Sequence, residues 1–163
     1  MRLDFFEKTC QEAPLSDNSF GLRDDENGQK AYIDKNNKDK WIAEIKNCGK
    51  KKLVFSAVDK CIIKDNQFEN LGRCDAMLFS DEHLYFIELK NKDKRWITDA
   101  VKQLEDTITL FIKNHNINDY KHKKAFACNK QHKPFKLINQ ETNLRFFRKY
   151  KFRLDIQTNV VIV

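Results

Sequence analysis

The sequence predicts an α/β domain with a mixed β-sheet and helices packed against it, and three observations carry that prediction. Residues 74–92, CDAMLFSDEHLYFIELKNK, hold two apolar runs split by a short polar turn, the pattern of a β-hairpin. From Trp96 the period changes, and Trp96, Ala100, Val101, Leu104, Ile108 and Phe111 fall on one helix face. KKAFACNK then returns to strand character, which makes a strand–helix–strand crossover. A chain of 163 residues with 13 Phe can bury a core of this kind.

The remaining elements follow in order. LDFFEKTCQEA reads as a short amphipathic helix, and residues 16–39 as the most polar, loop-like stretch. In DKWIAEIKNC, Trp41, Ile42 and Ile45 stand at helical spacing, with Gly49 placed to stop the helix. KLVFSAV and CIIK read as one long strand or two. RCDAMLF and LYFIEL, joined by SDEH, are expected to pair antiparallel. Beyond the crossover, ETNLRFFRKYK sets Leu144, Phe147 and Tyr150 inward at helical spacing and Arg145, Arg148 and Lys149 outward. FRLDI and NVVIV close the chain as short strands. Four Gly and two Pro are too few for long linkers, so one domain is expected over residues 1–163. Its core lies at 38–130 and its basic part at 131–163. Residues 1–37 are an N-terminal appendage, a mobile loop or part of the fold.

Charge is unevenly spread along the chain. The net charge is +7, yet residues 121–163 hold eleven Lys/Arg against two acids, and the preceding residues hold 20 against 22. Such a segment is either a polyanion-binding face or a solvated, Lys-rich surface. No run approaches the roughly 18 apolar residues of a membrane span, so no membrane partner is expected. The five Cys are scattered and none stands in CxxC. That spacing indicates neither a disulfide framework nor a structural zinc site, and it fits a reducing cytoplasm with the thiols acting as small hydrophobes. His122 and His132 lack convincing metal spacing and read as surface residues.

Three charged residues in the hairpin stand out. The start of its first strand and the end of its second lie side by side, which brings Asp75 and Glu88 to one edge. Alternation sends Glu88 and Lys90 to the same face and Leu89 to the other. Two such carboxylates repel unless a cation joins them, and Mg²⁺ takes one or two protein carboxylates. A metal so held polarises a phosphodiester and activates water, with Lys90 beside it for charge or proton transfer. A surface salt bridge at a strand end is the plainer reading of Glu88-x-Lys90 alone, worth about 0–1 kcal/mol.

An Asp opening one strand and Glu-x-Lys closing its hairpin partner, followed by a helix, resembles the catalytic core of the PD-(D/E)xK nuclease superfamily. The resemblance covers roughly residues 38–130, with Cys74 in place of the Pro of the family name. It implies a restriction-endonuclease-like mixed sheet flanked by helices, and a Mg²⁺- or Mn²⁺-dependent endonuclease acting on DNA, with RNA as the alternative, in a prokaryotic defence or mobile-element setting. It implies that Asp75 and Glu88 bind metal together with the Leu89 carbonyl, and that Lys90 is the catalytic lysine. Glu44 is similar to the family's helical Glu ligand, or else an exposed residue paired with Lys40. Gln103 resembles the catalytic Gln on the helix after the Glu-x-Lys strand. Lys121, Lys123, Lys124, Lys130, Lys133, Arg145, Arg148 and Lys149 would bind the nucleic-acid backbone. Without a separate reader module, a homodimer or a subunit of a larger assembly is expected. The alternative is an idle binding protein of the same fold: an immunity, regulatory or nucleic-acid-binding subunit.

Overall fold

Period-two burial organises the chain into two mixed sheets. The computed structural model describes residues 2–131 and 140–163. Strands β1 (Ser19–Arg23), β2 (Tyr32–Asp34), β3 (Ala43–Lys46) and β9 (Asn159–Val161) form a small sheet in the order β2-β1-β3-β9. Strands β4 (Val54–Ala57), β5 (Ala76–Phe79), β6 (His83–Lys90), β7 (His122–Asn129) and β8 (Arg153–Ile156) form a larger sheet in numerical order. In the larger sheet β4–β5 and β5–β6 pair antiparallel, whereas β6–β7 and β7–β8 pair parallel. Helix α1 (Ile97–Asn114) makes the crossover from β6 to β7, and α2 (Gln140–Tyr150) precedes β8. The fold is mixed α/β.

Each face of the larger sheet is covered differently. Tyr85, Ile87, Leu89, Phe126 and Cys128 pack against Phe20, Leu22, Ala43, Ile45 and Val160 of the small sheet. Met77, Leu84, Phe86, Ala125 and Ala127 pack against Ala100, Leu104, Ile108 and Phe111 of α1 and Phe146 and Tyr150 of α2. β6 is therefore buried on both sides and reads as an unbroken apolar run, as a strand of this kind must. No helix among the described residues is long and apolar enough to cross a membrane.

The expected hairpin, crossover, last helix and two closing strands are all present. Other expectations are corrected. DKWIAEIKNC is no helix: Ala43 and Ile45 point inward from β3 while Lys46 is exposed, and the i, i+3 spacing of Ile42 and Ile45 only imitates a helical stripe. Trp41 lies over Gly21 of β1, where any side chain would overlap the indole ring. The polar stretch 16–39 contains β1 and β2, whose register is held by Arg23 pairing with Asp34 at 3.1 Å. LDFFEKTCQEA forms only a 3-10 turn at Lys8–Cys10, and CIIK makes a turn with an isolated bridge, Asp59 to Ile63. Within α2 the inward residues are Phe146 and Tyr150, while Leu144 and Phe147 are exposed. Residues 2–37, left open by the sequence, belong to the fold, since Leu3, Phe5, Phe20 and Leu22 are buried.

Cysteine pairing is a further correction. Cys10 and Cys61 form a disulfide that ties the N-terminal segment to the turn after β4. Odd number and scattered spacing gave no sign of it, because only the fold brings the two together. Cys74 and Cys128 are free, buried and apolar in surroundings, as expected. A disulfide across 51 residues stabilises mainly by restricting the unfolded chain. Reduction is expected to lower stability by about 2–4 kcal/mol, read as a fall in urea midpoint with dithiothreitol that a Cys10→Ser/Cys61→Ser variant no longer shows.

Candidate functional site

The hairpin places Asp75 and Glu88 face to face. β5 and β6 pair Ala76 with Ile87, so one further step sets Asp75 opposite Glu88. Alternation puts them on the same side as Met77 and Phe86, facing α1. Asp75 is 7% exposed and Glu88 2%. Asp75 Oδ2 accepts the Leu89 N–H at 2.7 Å. Lys90, two residues beyond Glu88, sets its Nζ 3.3 Å from Glu88 Oε2. Among the described residues Glu88 Oε1 is buried without a hydrogen-bond partner, an arrangement that native proteins rarely leave without a reason.

Burial, and then the Glu88 charge, raise the Asp75 carboxyl well above the usual carboxylate range. Burial pushes Glu88 up to about 7, against the opposing pull of Lys90. Burial dominates both shifts, and a hydrogen bond between the two carboxyls raises Asp75 while it lowers Glu88. The neighbouring Cys74 and Cys128 thiols are also pushed up, first by burial and then by Glu88, so neither supplies a thiolate.

Helix α1 holds the approach to Asp75. The Cys74 N–H donates to Thr107 Oγ1 at 2.8 Å, and the Gly72 N–H to Asp106 Oδ2 at 2.7 Å. A Cβ on residue 72 would come within 2.9 Å of Gln103 Cα, so the close approach requires glycine. Gln103 Nε2 donates to the Arg73 carbonyl at 3.4 Å, and its Oε1 is buried with no partner among the described residues. Gln103 thus stands behind the strand that carries Asp75. Arg73 in turn pairs with Asp59 at 3.6 Å, and the Asp59 charge acts on Glu88. Thr107→Val should lower stability by about 1–3 kcal/mol by orphaning the Cys74 N–H, measured by chemical denaturation, and Thr107→Ser should restore most of it.

The far side of Lys90 is pinned by Asn129, which is buried. Its side chain accepts from the Lys92 N–H at 3.2 Å and donates to the Lys92 carbonyl at 2.6 Å. Sequence reasoning missed Thr107, Asp106, Asp59, Arg73 and Asn129. A polar residue inside an apolar strand or helix face was the available signal for Thr107 and Asn129, whereas the others have none.

Other sequence-predicted residues are dispersed. Glu44 is on β3 in the small sheet, where it accepts from Ser19 at 3.0 Å and pairs with Lys38 at 3.7 Å. It is neither helical nor paired with Lys40, because β3 is sandwiched between β1 and β9. Lys130 lies at the site end of the sheet, its N–H donating to the Lys90 carbonyl at 3.0 Å. Lys121, Lys123 and Lys124 lie at the opposite end, because β6 and β7 run parallel with His83 beside His122. Arg145, Arg148 and Lys149 are exposed on α2, and Lys133 falls outside the described residues. At that opposite end Glu82, His83 and His122 bring their ligand atoms within 4.8 Å of one another. Both His83 ring nitrogens are already engaged, by Ser80 Oγ and the Val163 main-chain oxygen, each at 2.6 Å. That histidine ties the hairpin turn to Val163, two residues past β9.

Compared with known proteins, the chain matches no family model, no curated protein and no solved structure.

Proposed function

We propose that this protein is a metal-dependent nuclease of the restriction-endonuclease-like kind, hydrolysing phosphodiester bonds in DNA. One observation carries the reading: two buried carboxylates oppose each other at a strand end, one with an unpartnered oxygen, with a lysine against them. The order antiparallel, antiparallel, helix, parallel across β4–β5–β6–α1–β7 supports it. The donor set suits a hard cation, since oxygen ligands with raised proton affinity are what Mg²⁺ or Mn²⁺ would relieve. Asp75, Glu88 and the Leu89 carbonyl would hold that ion, which when bound supplies Lewis acidity and an activated water.

The chain's own residues divide the remaining work. Leu89 N–H fixes the Asp75 carboxylate. Lys90 balances the charge at Glu88 and stands ready to meet a phosphate oxygen. Gln103 fixes the Arg73 carbonyl and so the strand entering the site. Glu44 has no part in it.

Full-length protein incubated with supercoiled plasmid, single-stranded DNA and RNA in 5 mM Mg²⁺ or Mn²⁺ tests the reading. Cleavage of DNA that EDTA abolishes is expected. Absence of cutting on every substrate overturns it and favours an idle binding protein, a reading to which the direct Lys90–Glu88 contact would then belong.

A further inference from the structure

We infer that a second, separate site on this protein takes single-stranded nucleic acid, holding its backbone and stacking one base. The concavity where the start of β7 meets the end of α2 has a volume of about 660 Å³. Lys121, Lys123, Lys124, Lys151 and Arg153 line it together with Phe147. Among the described residues none of these five cations stands in an ion pair, although Lys123 donates to the Tyr120 carbonyl at 2.9 Å and Lys124 stands 5.9 Å from the Phe126 ring. Among the described residues no Asp or Glu side chain lines the concavity, and His122 and Val163 complete its lining. The register explains the crowding: β7 and β8 pair Lys124 with Arg153, side by side in the sheet.

Phe147 determines the kind of polyanion. It is 43% exposed, although its spacing in α2 suits burial, and Phe146 takes the inward place instead. An aromatic face presented among unpaired cations matches a base stacked beside its own phosphates. A duplex keeps its base faces covered and offers such a ring nothing, so an unpaired strand is the occupant. Lysine at four of the five cationic positions makes the phosphate contacts point-like and indifferent to sequence.

Position sets the site apart from the carboxylate pair. Lys124 and Lys121 lie three and six positions from Ala127, the β7 partner of Glu88. At about 3.3 Å per residue they are roughly 10 and 20 Å along the strand from it. A strand engaged here is therefore held at a distance from Asp75 and Glu88, and only the idea that it is then delivered to them rests on the nuclease reading.

The test measures binding apart from cleavage. Fluorescence anisotropy of a labelled 12-nucleotide single strand against full-length protein in EDTA should show saturable binding, tighter than for the same sequence as a duplex. Phe147→Ala should weaken it about tenfold, the effect of losing one stacked base. Lys124→Glu with Arg153→Glu should abolish it at 150 mM salt, and Lys124→Gln alone should lower the salt slope by about one. Amide shifts on adding the strand should centre on residues 121–124 and 147–153. Equal affinity for duplex with no Phe147 effect overturns the single-strand assignment, and shifts confined to residues 88–92 and 129–131 overturn the site. Binding here without cleavage in Mg²⁺ leaves this site standing and removes the nuclease reading; cleavage without binding here does the reverse.

Discussion

Asp75→Asn is expected to lower Mg²⁺-dependent cleavage at least about 100-fold while raising the melting temperature of the metal-free protein. The two effects have one cause. Asp75 and Glu88 are buried opposite each other, and both are pushed toward protonation. Asn keeps the oxygen that accepts the Leu89 N–H, removes the charge, and turns its amide N–H toward the Glu88 carboxylate that Asp75 already hydrogen-bonds, so the repulsion goes without orphaning the Leu89 N–H. Relief of the order of 1–3 kcal/mol at pH 8 is expected. A purely structural Asp75 behaves otherwise: Asn then leaves cleavage untouched and stability level or lower. Plasmid nicking rates alongside thermal melts at pH 8 separate the two. Asp75→Ala, which orphans the Leu89 N–H, should lose both activity and stability.

The second large effect is the response of stability to pH and metal. Glu88 and Asp75 titrate higher in the folded protein than in the unfolded chain. Between about pH 4 and 7 the folded state therefore binds more protons than the unfolded state, and stability falls as pH rises through that window. Above the folded-state value for Glu88, about 7, its contribution to the fall is complete. It amounts to something of the order of 3 kcal/mol. His115 and His122, lowered by burial, act in the opposite sense, so the Glu88→Gln variant is the proper reference. Relative to it, the wild type should melt progressively lower from pH 5 to pH 8 in EDTA. Mg²⁺ should recover about 2.7 kcal/mol at pH 8 when present at a hundred times its dissociation constant, and little at pH 5, where protons hold the same oxygens. A flat pH profile, or equal Mg²⁺ stabilisation at both pH values, removes the carboxylate pair as a cation site.

The candidate site was more legible than the sheet that frames it. Asp75, Glu88 and Lys90 could be related from 16 consecutive residues because a short turn fixes hairpin register locally. The polar side chains that hold them in place could not be foreseen. Thr107 meets Cys74 across 33 residues, and Asn129 meets Lys92 across 37. Both contacts exist only once α1 has crossed over and β7 has returned beside β6. Glu44 failed for a local reason: four residues of strand with Ile42 and Ile45 near them carry too short a pattern to tell a period of 2 from one of 3.6. Lys121, Lys123 and Lys124 stand away from the carboxylates for a topological one, since membership of the strand beside the site says nothing about which end of it a residue occupies.

By itself the sequence determined the hairpin, the long amphipathic helix, the crossover and the facing of two carboxylates at one strand end. All follow from interactions between near neighbours, whose geometry is set by turn length and by the two backbone periods. Tertiary structure alone decided that a second sheet covers the larger one, that Cys10 meets Cys61, and that Glu88 keeps an unpartnered oxygen. It also set the basic concavity at the opposite end from the acids. Burial and proximity between distant segments depend on which surfaces the whole chain can cover at once, and no short stretch carries that information.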